Sequence, residues 1–205
     1  MAPTLYDRFD YASLAIEQPA RGSRLAPIYS VKSRIPPTFQ LSLTPNLSTP
    51  FGASSFEEGQ TRLGIVFHIP EDLAQFFNKM DNHFIRQISA KSAELLKKEM
   101  TEDQVRAIWK PSVTRKDSYP PALRCKYNTL GKKAVNCWTT EGSRIELDDP
   151  RDLRNYPCTA IIKPTGFWAM SQKECGVTYD VVSMLLGTSV AECPFDFEEN
   201  WNMST

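Results

Sequence analysis

Thr61-Arg-Leu-Gly-Ile-Val-Phe-His-Ile-Pro70-Glu-Asp-Leu-Ala-Gln-Phe-Phe-Asn-Lys-Met80 changes its hydrophobic period at the proline. Before it, Leu63, Ile65, Phe67 and Ile69 fall on one face and Arg62, Gly64, Val66 and His68 on the other, the alternation of a half-buried strand. After it, Leu73, Phe76, Phe77, Met80, Phe84, Ile88 and Leu95 recur at spacings of three and four. That spacing predicts one helix of about 25 residues with a single apolar stripe. Pro70 ends that strand, since it lacks the N–H a strand ladder needs.

Downstream, Thr101-Glu-Asp-Gln104 predicts a second, shorter helix, because Thr at the cap and Gln three residues on can satisfy orphan backbone donors reciprocally. Val105, Ile108 and Trp109 form its apolar face and Pro111 ends it. After Pro120-Pro121 the period returns to two. Leu123, Cys125 and Tyr127 alternate with Arg124, Lys126 and Asn128, a turn is expected at residues 129–133, and a return strand from about Ala134 to Thr140 closes a hairpin. A polar loop, Glu141 to Pro157, precedes strands expected at Thr159–Lys163, Phe167–Met170 and Gly176–Leu186, with Pro164-Thr-Gly166 as a turn between the first two.

Upstream, Phe39, Leu41 and Leu43 alternate as a strand, and Pro45, Pro50 and Gly52 break the chain. Residues 1–36 mix Pro, Arg, Ser and Gly without period and are expected to form an irregular N-terminal arm. The pattern is α+β: short strands with a two-helix insertion between the second and third, in a mostly antiparallel β barrel or open sheet, of which an OB-like barrel is one form. Periodicity does not choose between barrel and sandwich. The expected organisation is an arm over 1–36, a single OB-like domain over 37–187 and an acidic tail over 188–205.

With 24 basic and 24 acidic residues among 205, the formal charge is zero, which argues against a wholly basic nucleic-acid coat. The position of the charge is more informative. Residues 110–133 carry Lys110, Arg115, Lys116, Arg124, Lys126, Lys132 and Lys133 against Asp117 alone, a local excess of six positive charges. From Glu192 to the end, Glu192, Asp196, Glu198 and Glu199 face no basic residue. Clustered Lys and Arg attract a phosphate backbone irrespective of base sequence, because neutralising phosphates releases condensed counterions. Aromatic rings add stacking, about 1–3 kcal/mol per base. Tyr119, Tyr127, Trp138, Phe167 and Trp168 lie in or just after the basic segment. Tyr127 shares the Leu123/Cys125 face and is expected in the core, Trp138 is expected to face out, and of the neighbours Phe167 and Trp168 one must face out.

Other chemistries find little support. Only His68 and His83 are present, the glycines form no phosphate loop, and five cysteines (Cys125, Cys137, Cys158, Cys175, Cys193) contain no Cys-x-x-Cys pair. The odd cysteine count and the absence of a long apolar run predict a reduced, intracellular protein, not secreted and without a membrane partner. Glu146, Asp148 and Asp149 sit among Arg144, Arg151 and Arg154 and are expected to form surface pairs in preference to binding a divalent ion. No catalytic residue, metal or cofactor is expected.

Four blocks carry a family resemblance: Thr49-Pro50-Phe51-Gly52-Ala-Ser-Ser-Phe56 before a strand, a helix with Asp81 at its middle, Tyr119-Pro-Pro-Ala-Leu-Arg124-Cys-Lys126, and Gly166-Phe167-Trp168 followed by Gly176-Val177. In this order, over roughly residues 38–187, they resemble the single-stranded DNA-binding proteins of nucleocytoplasmic large DNA viruses. The resemblance implies an OB-type core, sequence-independent single-strand binding in viral replication, repair or recombination, and no catalysis. At matching positions it points to Arg124, Lys126 and Trp168.

Together these readings make single-stranded DNA the expected partner, with RNA as an alternative. The expected contacts are Lys110, Arg115, Lys116, Tyr119, Arg124, Lys126, Lys132, Lys133, Trp138, Lys163, Phe167 and Trp168. The acidic tail is a candidate contact for replication proteins, and a homo-oligomer is compatible with the pattern. The competing reading is a viral structural or assembly protein acting through protein–protein contacts.

Overall fold

A computed structural model of the chain describes residues 3–21, 23–55, 59–170 and 173–188. In chain order the strands are β1 (Thr4–Leu5), β2 (Leu14–Ile16), β3 (Leu25–Ala26), β4 (Ile28–Ser30), β5 (Phe39–Gln40), β6 (Ala53–Ser54) and β7 (Arg62–His68). Three helices follow, α1 (Glu71–Ala90), α2 (Ser92–Leu95) and α3 (Glu102–Ile108). The remaining strands are β8 (Val113–Lys116), β9 (Tyr119–Asn128), β10 (Asn136–Thr139), β11 (Arg144–Ile145), β12 (Cys158–Met170) and β13 (Glu174–Leu186).

The period change at Pro70 is real. In β7, Ile65 and Phe67 are buried, and Ile69 just beyond it is buried too. Helix α1 buries Leu73, Phe76, Phe77, Met80, Phe84, Ile85 and Ile88, with Glu71 and Asp72 in its first turn where the helix dipole favours negative charge. The single expected helix is nevertheless two. Lys91 leaves helical geometry at φ −120° and ψ 20°, and the Ser92 hydroxyl bonds to the Ser89 carbonyl at 2.9 Å. A serine competing for the local backbone is a known way to end a helix. Helix α3 starts on the expected capping box, with the Thr101 hydroxyl accepting from Gln104 N and the Gln104 side chain accepting from Thr101 N.

The main sheet runs β1-β5-β12-β13-β9-β7-β6, with β3 beside β12, β8 beside β9, and β10 beside β13 carrying β11. It is open and mixed, not a closed barrel: β1–β5, β10–β13 and β13–β9 are parallel. Two local expectations change with it. The expected hairpin of residues 123–140 does not form, because the 3-10 turn Gly131–Lys133, with Gly131 at φ +74°, sends β10 across to the far end of β13. Strand β9 pairs instead with β7 and β8. The expected turn at residues 164–166 is a bulge inside the continuous strand β12, with register shifts between Ile161 and Ile162 and between Pro164 and Gly166. A bulge accommodates the missing proline N–H without breaking the strand.

Among the described residues of the stretch 1–36, expected as an irregular arm, several form strands and enter the core. Strands β2 and β4 form a separate two-stranded sheet, and Leu14, Ile16, Ala26 and Ile28 are buried. Phe9 stacks on Phe39 with ring centroids 4.5 Å apart, and Tyr6, Phe9 and Tyr11 meet Phe76 of α1 edge-on. Apolar burial at about 25 cal/mol per Å² favours this packing, and these apolar positions are too scattered to show a period. No described helix is long and apolar enough to cross a membrane.

Candidate nucleic-acid interface

The ladder between strands β9 and β13 consists of one residue pair, Lys126 and Asp180. On one side of that contact they diverge and open a groove of about 520 Å³. Arg124 and Lys126 from β9, Lys110 from the segment after α3, and Trp168 from β12 line it, with Tyr179 and Cys125 at its base. On the other side of the contact, Lys132, Lys133 and Lys163 line a smaller recess of about 160 Å³ with Asp180. A third depression, of about 470 Å³, shares Arg124 and Thr114 with the first and continues to Lys116, Tyr119 and Phe51. Basic side chains thus line all three depressions, the first and third of which are joined at Thr114 and Arg124.

The cations differ in freedom. Lys110 Nζ lies 2.9 Å from Glu174 Oε1, and Arg115 Nη2 lies 2.6 Å from Glu71 Oε1 at the start of α1. Arg115 is therefore turned toward the helix and lines none of the three depressions. Arg124 and Lys126 form no ion pair with another described residue. Asp180, only 3% exposed, receives Arg62 Nη2 at 2.9 Å and lies in register with both Lys126 and Lys163. One buried carboxylate thus pairs with Arg62 and stands opposite two lysines on the neighbouring strands. Neither Arg62 nor Asp180 is among the residues the sequence singles out. The one local signal is a carboxylate inside the apolar run of β13.

The aromatic residues separate clearly. Trp168 lines the groove, and its register partner is Gly176. Phe167 is buried and stacks on Trp109, with centroids 6.4 Å apart and planes 9° apart. The outward neighbour is therefore Trp168, and Phe167 is removed from the expected contacts because its side chain belongs to the core. Tyr127 is buried as expected, its hydroxyl 3.6 Å from Cys137 Sγ. Trp138 is 38% exposed, but it pairs with Leu185 and lines a different depression, with Gln40, Thr159 and Ala160. It leaves the groove because β10 follows β13 and not β9. Tyr119 is 67% exposed at the mouth of the third depression.

Behind the groove, Ser112 joins the strand wall to α1. Its N–H and hydroxyl donate to Asp81 at 2.8 and 2.5 Å, and the same hydroxyl lies 3.2 Å from the Tyr179 hydroxyl. Burial raises the Asp81 carboxyl to about 6 despite both hydrogen bonds, which act to lower it. Burial likewise pushes up the Tyr179 hydroxyl and the Cys125, Cys158 and Cys175 thiols, so these thiols stay protonated near neutrality. His68 lines the third depression and His83 contacts the Leu14 carbonyl at 3.2 Å. Among the described residues no group of three or more His, Cys, Asp and Glu side chains is placed to hold a metal. Asp149 caps the 3-10 turn Pro150–Asn155 and pairs with Arg151 at 2.6 Å. The acidic stretch from Glu192 onward, with Cys193, lies outside the described residues.

No protein-family model matches the sequence, and no curated protein matches it significantly. Similar folds exist among solved structures. The chain is similar to gp2.5, a single-stranded DNA-binding protein encoded by bacteriophage T7, with a TM-score of 0.51 and 12% identity over 80% of this chain and 98% of that one. It is also similar to the single-stranded DNA-binding protein from bacteriophage Enc34, with a TM-score of 0.47 and 11% identity over 90% of this chain and 98% of that one. At this identity the likeness to the T7 protein is one of fold.

Proposed function

We propose that the chain binds single-stranded DNA without sequence preference. Arg124 and Lys126 hold phosphates and Trp168 stacks on a base, while Lys110, Lys116, Lys132, Lys133 and Lys163 extend the phosphate path and Tyr119 offers a further ring. One observation carries the reading: two cations without an ion pair among the described residues and a partly exposed indole converge on the same groove. That combination suits a ligand that is both anionic and flat-faced. The fold shared with a phage protein named for single-strand binding supports it. No catalytic step is part of this reading.

The finer reading follows the four sequence blocks: a role in viral DNA replication, repair or recombination. In it the acidic stretch 192–205 competes with DNA for the basic groove and contacts replication proteins. Single-stranded RNA offers the same phosphates and bases, and a comparative titration separates the two.

The direct test is quenching of intrinsic tryptophan fluorescence by poly(dT), run beside RNA and duplex. Saturable quenching that weakens as salt rises is expected. No quenching at low salt, or affinity indifferent to salt, overturns the reading.

A further inference from the structure

Phe51 is held out in water by a turn that is otherwise firmly anchored. Thr49 is buried and its hydroxyl donates to the Leu153 carbonyl at 3.0 Å. Gly52 N–H returns to the Thr49 carbonyl at 3.0 Å. Gly52 itself, at φ +60°, lies so close to the Arg151 backbone that a Cβ there would fall 2.3 Å from the carbonyl oxygen. On either side, Ser48 bridges to His68, and β6 pairs with β7. A turn pinned at both ends leaves Phe51 no route into the core, and the ring is 68% exposed.

The surroundings of the ring are equally specific. Phe51 and Tyr119 line one depression of about 470 Å³ together with Lys116 and Arg124. Neither ring contacts another aromatic ring among the described residues. The depression joins the Trp168 groove at Thr114 and Arg124. A purely apolar partner would leave Lys116 and Arg124 desolvated and unpaired, which is costly. A strand of nucleotides supplies a face for each ring and a phosphate for each cation.

We propose that Phe51 and Tyr119 form a second nucleobase station, reached by the same strand that crosses Trp168, so that Arg124 holds the backbone between two stacking sites. This rests on the single-strand reading above and extends it by joining Phe51 to the Tyr119 ring as one further stacking site. Strands long enough to span both stations gain from the second one, and very short oligonucleotides do not.

Phe51→Ala tests it, because an exposed ring can be removed without opening the core. Affinity for long oligo(dT) should fall by roughly 5- to 150-fold, the loss that one stacked base represents. Affinity for the shortest oligonucleotide that still quenches Trp168 should be unchanged, and thermal stability preserved. Phe51→Tyr should restore long-strand binding, and Phe51→Trp should add quenchable fluorescence. If wild type binds no single strand, the function reading fails. If wild type binds and Phe51→Ala matches it at every length, the second station fails alone. A Phe51→Ala variant that changes oligomeric state without nucleic acid, with DNA binding intact, assigns the ring to protein contact and also overturns the proposal.

Discussion

The indole of Trp168 lies against Gly176, its cross-strand partner: a Cβ at position 176 would sit 3.2 Å from Trp168 Cζ2 and 3.2 Å from the Lys110 carbonyl oxygen. The glycine leaves the ring the space it occupies beside β13 and lets the segment that carries Lys110 approach. One backbone position thus sets both the place of the indole and one wall of the groove.

Gly176→Val should therefore impair binding almost as much as Trp168→Ala. Both variants are expected to weaken binding to poly(dT) by about 1–3 kcal/mol, the worth of one stacked base. Gly176→Ala, which asks its neighbours to move only a few tenths of an ångström, should fall between them and wild type. Titration of all three at fixed salt checks the order, and a Gly176→Val protein with wild-type affinity contradicts the geometry.

Arg124 and Lys126 should act through charge. Their joint replacement by Ala removes the two proposed phosphate contacts, and for a single strand each such contact contributes about 0.7 to the slope of log K against log salt. The slope should flatten by about 1.4. Arg115→Ala should leave it nearly unchanged, because that guanidinium is engaged with Glu71.

On the single-strand reading, Asp180 should oppose the ligand. Its carboxylate lines the recess shared by Lys132, Lys133 and Lys163, and two unit charges 4 Å apart in water interact by about 1 kcal/mol. Asp180→Asn keeps an acceptor for Arg62 and should tighten single-strand binding roughly fivefold at low salt. Weaker binding by a variant of normal stability would mean that the carboxylate positions the cations more than it repels phosphate.

Asp81 should make stability depend on pH. Its carboxyl holds a proton in the folded protein up to about 6, against an ordinary value of 3.8. Between those values the folded state binds more protons than the unfolded one, so stability falls as pH rises through this window. The full effect is on the order of 3 kcal/mol. Denaturant midpoints from pH 4 to pH 7 should decline more for wild type than for Asp81→Asn. Parallel curves would remove Asp81 as the cause.

The elements most legible in the sequence are those built on local repeats. Strand β7, helix α1 and the capping box of α3 appear where hydrophobic period and cap chemistry place them, because neighbours a few residues apart decide them. Strand β12 was legible only as two pieces, since Pro164 and Gly166 read as a turn when isolated and become a bulge when β13 pairs along their whole length. The packing of Phe9 on Phe39 and of Tyr6 on Phe76 has no periodic signature at all.

The same division runs through the candidate site. The sequence alone determined that residues 110–133 are strongly basic and interleaved with aromatics, because charge and ring chemistry belong to each residue wherever it lies. Only the tertiary structure decided which of them meet. The diverging β9 and β13 bring Arg124, Lys126, Lys110 and Trp168 to one groove, and β10 carries Trp138 away. Packing on Trp109 buries Phe167, and Glu71 draws off Arg115. Strand pairing across more than fifty residues, such as Asp180 with Lys126, depends on contacts that no local period records.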